Sequence, residues 1–263
     1  MRARALPRVS PWFARRFTAY SRWSVRRHFH TVRVMKSALP PSSSISERPL
    51  VVFLNHASWW DPLVSLLLAD AYFQERTCFA PIAAEHLARY RFFRHLGFYG
   101  VSERGALGFL RTTCELLAEK KNAVWLTPQG RFMDVRERPL RFEAGLAAVA
   151  KRMPDAAFLP LAIDYTFWTE PQPEILVAFG QPIIPSEVAS TTTVADLDAL
   201  LEHSLAATQD ALAAQACRRE PSDWVPLEAG ARGVNPIYDG WRWLRTRWSG
   251  ENFTREHQTD AVK

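Results

Sequence analysis

One stretch of this chain carries residue types that can take a proton from an alcohol and return it: Asn55-His56-Ala57-Ser58-Trp59-Trp60-Asp61-Pro62. A histidine and an aspartate five positions apart meet if a tight turn leads into a helix. The carboxylate then fixes one imidazole tautomer and stabilises the imidazolium, while the other ring nitrogen is free to act as a base. A neutral hydroxyl is a weak nucleophile toward an ester or thioester and needs such a base. The spacing alone is not diagnostic. Asp followed by Pro also reads as a helix start, with the carboxylate as N-cap and Pro at the first helical position, and the histidine can be purely structural.

Three further blocks follow. Gly100-Val101-Ser102-Glu103-Arg104 places an acid and an arginine after a short apolar run. Thr127-Pro128-Gln129-Gly130-Arg131 is a turn after another, and Phe158-Leu159-Pro160-Leu161-Ala162-Ile163 sets a proline within an apolar strand. Taken in order with the first block, this set resembles the glycerolipid acyltransferases, the lysophosphatidic acid acyltransferase family, over about residues 50–185. The resemblance implies that His56 is a general base oriented by Asp61, with Asn55 and Ser58 bracing the turn. It implies that Glu103, Arg104, Gln129, Gly130 and Arg131 bind the acceptor and its anionic group. The acyl donor would be acyl-CoA or acyl-carrier protein, with no cofactor, no metal and no acyl-enzyme, so Cys78, Cys114 and Cys217 take no part. The third block departs from the family pattern Phe-Pro-Glu-Gly-Thr-Arg: Gln129 stands where an acid is usual, and no Thr separates Gly130 from Arg131. An amide keeps hydrogen-bonding capacity but no charge. The acceptor therefore stays open among a lysophospholipid, a glycolipid and a glycosylated isoprenoid. Arg136, Arg138 and Arg141 are either anion ligands or a charged loop balanced by Asp134, Glu137 and Glu143. Two rivals use the same residues: a thioesterase in which the pair activates water, and a membrane-binding module without catalysis.

These blocks need elements that deliver them to one place. From Leu50 onward short apolar runs (50–54, 77–82, 98–101, 123–126, 157–165, 174–179) alternate with helical patterns (62–73, 85–95, 104–120, 143–152, 195–216). Thr193 and Asp196 form a capping-box pattern before the last of these helices. Alternation of this kind predicts an α/β fold, a mostly parallel central sheet flanked by helices, with sites at the carboxyl ends of the strands. A chain of 263 residues with 48% hydrophobic and 23% charged residues can bury such a core without staples. Three widely spaced cysteines form no disulfide framework or zinc motif. The longest apolar run, Pro62–Phe73, is too short to span a bilayer and contains Asp70.

The ends differ from the body. Ten of the 33 basic residues lie in residues 1–36, which hold no acid, leaving a body of 23 basic against 27 acidic residues. Phe13, Phe17 and Tyr20 share one side of a helical wheel, flanked by Trp12 and Trp23, with Arg15, Arg22, Arg26 and Arg33 opposite. Rings at headgroup depth beside guanidiniums on lipid phosphates suit an N-terminal basic amphipathic arm lying in an anionic membrane surface. A packing helix, a transit peptide and a nucleic-acid arm are the competing readings, the last disfavoured. The resulting division is an arm at 1–36, a Ser/Pro-rich linker at 37–49, the catalytic domain at 50–216 and a Trp/Arg-rich extension at 217–263. In that extension Ile237, Trp241, Leu244 and Trp248 share a helical face, and Trp241 and Trp248 join the expected membrane interface. The expected location is peripheral, on the cytoplasmic face of a membrane without a transmembrane helix. Oligomeric state is not readable.

Overall fold

The computed structural model describes residues 6–102, 105–168, 170–188 and 192–230. Eight strands form one sheet: β1 (Thr31–Met35), β2 (Leu50–Leu54), β3 (Thr77–Ala83), β4 (Phe98–Val101), β5 (Asn122–Leu126), β6 (Ala157–Thr166), β7 (Glu174–Phe179) and β8 (Trp224–Ala229). Helices are α1 (Pro11–His28), α2 (Ser42–Ile45), α3 (Asp61–Tyr72), α4 (Ala84–Arg89), α5 (Ala106–Leu117), α6 (Gly145–Arg152) and α7 (Val194–Arg218). The strand order is β4-β3-β5-β2-β6-β7-β1-β8. Strands β4 to β6 of that order run parallel, β7 is antiparallel to β6, β1 is parallel to β7, and β8 closes the far edge antiparallel to β1. The fold is thus α/β with a mostly parallel sheet, as the alternation predicts.

Both faces of the sheet are covered, which is why β2 is apolar at every position and buried throughout. Its residues divide by the period of two. Leu50, Val52 and Leu54 pack with Val64, Leu67 and Leu68 of α3, and Val51 and Phe53 face α5, α6 and α7 through Leu117, Leu146 and Leu201. Helix α7 carries the capping box of Thr193 and Asp196, with both reciprocal bonds present.

The sequence boundary between arm and body does not survive. Thr31–Met35 is a strand inside the sheet, paired to β7 and β8. Arg33 lies on it, 8% exposed, with Nε 2.5 Å from Oε2 of fully buried Glu174. A lone charge there would be untenable; the pair makes the strand possible. The extension likewise contributes β8, whose Trp224 is buried against Trp168 rather than held outward, and whose Pro226 is tolerated on an edge strand. The expected linker includes the single-turn α2, anchored by buried Ile45. The pattern at 85–95 breaks at Tyr90 into α4 and a 3-10 turn, Arg91–Leu96. Trp241 and Trp248, with the face they were expected to form, lie outside the described residues.

Helix α1 packs on α3 and carries its aromatic stripe outward. Its buried residues are Thr18, Ser21, Ser24 and Val25, small enough for close approach. Arg22 bridges Asp70 of α3 (2.9 Å) and Glu228 of β8 (2.5 Å), and Arg26 holds Glu228 at 2.7 Å. These two arginines and Arg33 were expected on the side of the arm opposite the rings; all three face carboxylates of the body. Arg15, Arg16 and Arg27 remain exposed. Trp12, Tyr20 and Trp23 are 60%, 49% and 57% exposed, and Phe13 and Phe17 are half-buried against Phe92. Among the described residues no helix is long and apolar enough to cross a membrane.

Candidate active site

The site forms where β2 leaves the sheet. Asn55, 1% exposed, extends the ladder with its side chain: Nδ2 donates to the Ile163 carbonyl and Oδ1 accepts from the Ile163 N–H, each at 2.9 Å. The amide imitates a backbone unit and fixes the exit of β2 against β6. The next residue, His56, is held by its backbone from two sides. Its N–H donates to Gln129 Oε1 (3.2 Å) and its carbonyl accepts from Met133 N–H (2.8 Å). With the backbone clamped, the ring has a defined direction.

His56 Nδ1 lies 2.8 Å from Asp61 Oδ2. The same oxygen accepts the Ser58 N–H (3.0 Å), and Ser58 Oγ accepts from Trp60 N–H (3.2 Å). The other carboxylate oxygen accepts from Tyr165 Oη at 2.6 Å. Asp61 is 1% exposed, so these three bonds replace its hydration. Asp61 opens α3 but makes no side-chain cap; Trp60 is the N-cap residue. The helix-start reading thus holds for the Asp-Pro pair as backbone only, and the carboxylate is spent on the turn and the imidazole. A carboxylate on Nδ1 places the proton there and leaves Nε2 as the basic nitrogen. No described residue holds Nε2, and the ring of Phe132 lies beside the imidazole at a centroid distance of 4.2 Å.

The remaining expected site residues separate. Asn55 bonds to the Ile163 backbone, and Ser58 bonds to Asp61 and to Trp60 N–H within the turn. Gln129, expected at the acceptor, is 4% exposed and turned inward: Oε1 braces His56, and Nε2 contacts Met133 Sδ. Gly130 has φ of +67°, a left-handed turn that glycine adopts without strain, and Arg131 beside it is exposed. Glu103 and Arg104 lie outside the described residues. In the following loop Arg136 chelates Asp134 (2.8 and 2.7 Å), while Arg138 holds Asp210 of α7 at 2.6 Å rather than a carboxylate of its own loop. Sequence reading missed Tyr165 and Phe132. Tyr165 had a signal: it ends the β6 run at the carboxyl edge, in phase with Leu161 and Ile163. Phe132 had none beyond adjacency to the third block.

The arm reaches the same turn. Phe29, just past α1, packs edge-on against Trp60 (5.0 Å) and against Tyr165 (5.9 Å), the residues on either side of Asp61. Two cysteines are chemically quiet. Burial raises the Cys78 thiol to about 11 and raises that of Cys114 as well.

Residues 30–164, just over half of the chain, match the family model described as Acyltransferase. The chain therefore belongs to the acyltransferase family, in agreement with the resemblance of its motif blocks to glycerolipid acyltransferases, and is an acyltransferase enzyme. Among solved structures it is similar to the 1-acyl-sn-glycerophosphate (LPA) acyltransferase PlsC from Thermotoga maritima, with a TM-score of 0.55 and 15% identity over 76% of this chain and 80% of that one. At that identity the likeness is one of fold. No curated relative matches the sequence.

Proposed function

We propose that the protein transfers a fatty acyl group from a thioester, acyl-CoA or acyl-carrier protein, to a hydroxyl of a lipid-like acceptor. His56 Nε2 removes the hydroxyl proton as the oxygen bonds to the thioester carbonyl carbon. The C–S bond then breaks, and the leaving thiolate takes the proton back from Nε2. Products are the acyl ester and a free thiol, and no acyl-enzyme forms. Asp61 holds the imidazole and balances the transient imidazolium. The observation that carries this reading is the 2.8 Å contact between His56 Nδ1 and a carboxylate that is itself fixed by Ser58 and Tyr165. Burial raises the thiols of Cys78 and Cys114, which disfavours the thiolate that an acyl-enzyme route needs and supports direct transfer.

The reading includes a peripheral seat on the cytoplasmic face of an anionic membrane. The exposed rings of Trp12, Tyr20 and Trp23 support it, with half-buried Phe13 and Phe17 between them and exposed Arg15. Trp59, 65% exposed and next to the catalytic turn, extends the aromatic surface toward the site. Both substrates are amphiphiles, and such a seat brings their headgroups to His56.

The test is product analysis. Purified protein with labelled acyl-CoA, or acyl-carrier protein, and total membrane lipid is expected to yield a labelled acyl-lipid whose formation depends on an alcohol acceptor. Labelled free fatty acid alone, unchanged by acceptor, is the outcome of a thioesterase and contradicts the proposal.

A further inference from the structure

A cleft of about 820 Å³ opens between the carboxyl end of β6, the loop around Asp134 and the C-terminal half of α7. Ala57, the residue after His56, forms part of its wall. Most of its charge is internally balanced. Arg136 is paired with Asp134 and Arg138 with Asp210, so the charge of these two guanidiniums is balanced from within the protein. Arg219 also lines the cleft, exposed at the end of α7.

Two hydrogen-bond acceptors in the wall are not spent. Asp164 is half-buried, on the side of β6 that faces α7, in phase with Ala162. Its carboxylate receives the Tyr165 backbone N–H, and among the described residues no side-chain donor. Gln209 is 6% exposed; Nε2 donates to the Val135 carbonyl at 3.3 Å, and Oε1 is buried with no hydrogen-bond partner. An orphaned buried acceptor is uncommon and wants a donor. A ligand suited to this wall must bring O–H groups. A phosphate brings acceptors and negative charge, and would face Asp164, Asp134 and an amide oxygen.

Resting on the acyl-transfer reading above, we propose that this cleft seats the polar head of the acceptor, and that the head is a neutral, hydroxyl-rich group such as a glycosyl unit, donating to Asp164 and Gln209. Leu212 and Trp168 give the cleft an apolar wall for the C–H faces of such a ring. One hydroxyl then lies toward Ala57, the residue after His56.

Equilibrium dialysis tests the seat without chemistry. The probes are octyl glucoside below its micellar threshold and octyl phosphate, at one ionic strength, against the full chain. The wild type is expected to bind the glucoside more tightly than the phosphate. Glucoside affinity is expected to fall about tenfold in Asp164→Ala and about threefold in Asp164→Asn and Gln209→Met, without a matching fall for octyl phosphate. The two size-conserving variants, checked by circular dichroism, keep the test valid if Asp164→Ala misfolds. Tighter binding of octyl phosphate, no binding of the glucoside, or glucoside affinity within twofold of wild type in every folded cleft variant overturns the proposal. Absence of acyl transfer by the wild type counts instead against the acyl-transfer reading, because dialysis does not depend on turnover.

Discussion

Replacing Asp61 by Asn keeps the side-chain volume and removes the charge that faces the imidazole. In the native turn one oxygen accepts from His56 Nδ1 and the Ser58 N–H, and the other accepts from Tyr165. Asparagine has a single acceptor oxygen. If that oxygen stays with His56 and Ser58, the amide NH₂ must face the Tyr165 hydroxyl, which can rotate to accept. The turn then keeps its shape, and His56 keeps its tautomer but loses the buried carboxylate that balances the imidazolium. If the oxygen turns to Tyr165, the NH₂ opposes two donors and the tautomer is wrong. General-base assistance is typically about 10²–10⁴-fold, and retaining the ring geometry preserves part of it. The expected fall in kcat is about 10²–10³-fold, roughly 3–4 kcal/mol of barrier. KM for the acceptor changes little, since Asp61 is buried behind the imidazole. Initial rates of label transfer into lipid measure this, with circular dichroism to confirm folding. A folded Asp61→Asn protein with kcat within threefold of wild type would refute the assigned role of the carboxylate.

Other perturbations test other parts of the structure. Arg33→Ala leaves Glu174 charged, fully buried and alone, and is expected to cost about 3–5 kcal/mol of stability, on the order of 10 °C in Tm by thermal denaturation; an unchanged Tm would contradict the placement of Thr31–Met35 in the sheet. Trp12→Ala with Trp23→Ala removes two rings that the body does not bury, so Tm stays the same while partition onto anionic vesicles weakens at least about tenfold; unchanged flotation would reject the interfacial role of α1. Asp164 offers a pH test. Burial raises its carboxyl from the ordinary value, so the native state holds that proton more tightly than the unfolded chain and loses stability as pH rises through its titration. Asp164→Asn removes that dependence. Its Tm relative to wild type is expected to rise between about pH 3 and pH 7, and a difference that is flat or falls with pH would contradict the burial of this carboxyl.

The parts of the fold set by local pattern were legible, and the parts set by distant partners were not. β2 is apolar at every position, and α7 announces itself by Thr193 and Asp196, so both could be read within a few residues of their ends. β1 could not, because its central Arg33 is acceptable only beside Glu174, 141 residues away. The aromatic side of α1 follows from helical period. The destinations of Arg22 and Arg26 depend on Asp70 and Glu228, which periodicity does not see. Within the site, the His56 and Asp61 spacing gave the pair and Tyr165 was hidden, since it reaches Asp61 only through the β2–β6 alignment that Asn55 fixes. Gln129 was read as a weakened acid at the acceptor; in the fold its amide oxygen clamps the His56 backbone, a job that an amide can do without charge.

The central claim is that Nε2 of His56, oriented by Asp61, is the base of an acyl transfer. The most direct measurement compares wild type and His56→Ala in single-turnover reactions with labelled acyl thioester and total membrane lipid, resolving products by mass spectrometry. The predicted result is a labelled acyl ester in the wild type, reduced at least about 10²-fold in a folded His56→Ala protein, with no labelled protein in either. Equal ester formation by the two proteins, or label retained covalently on the wild-type chain, would contradict the account.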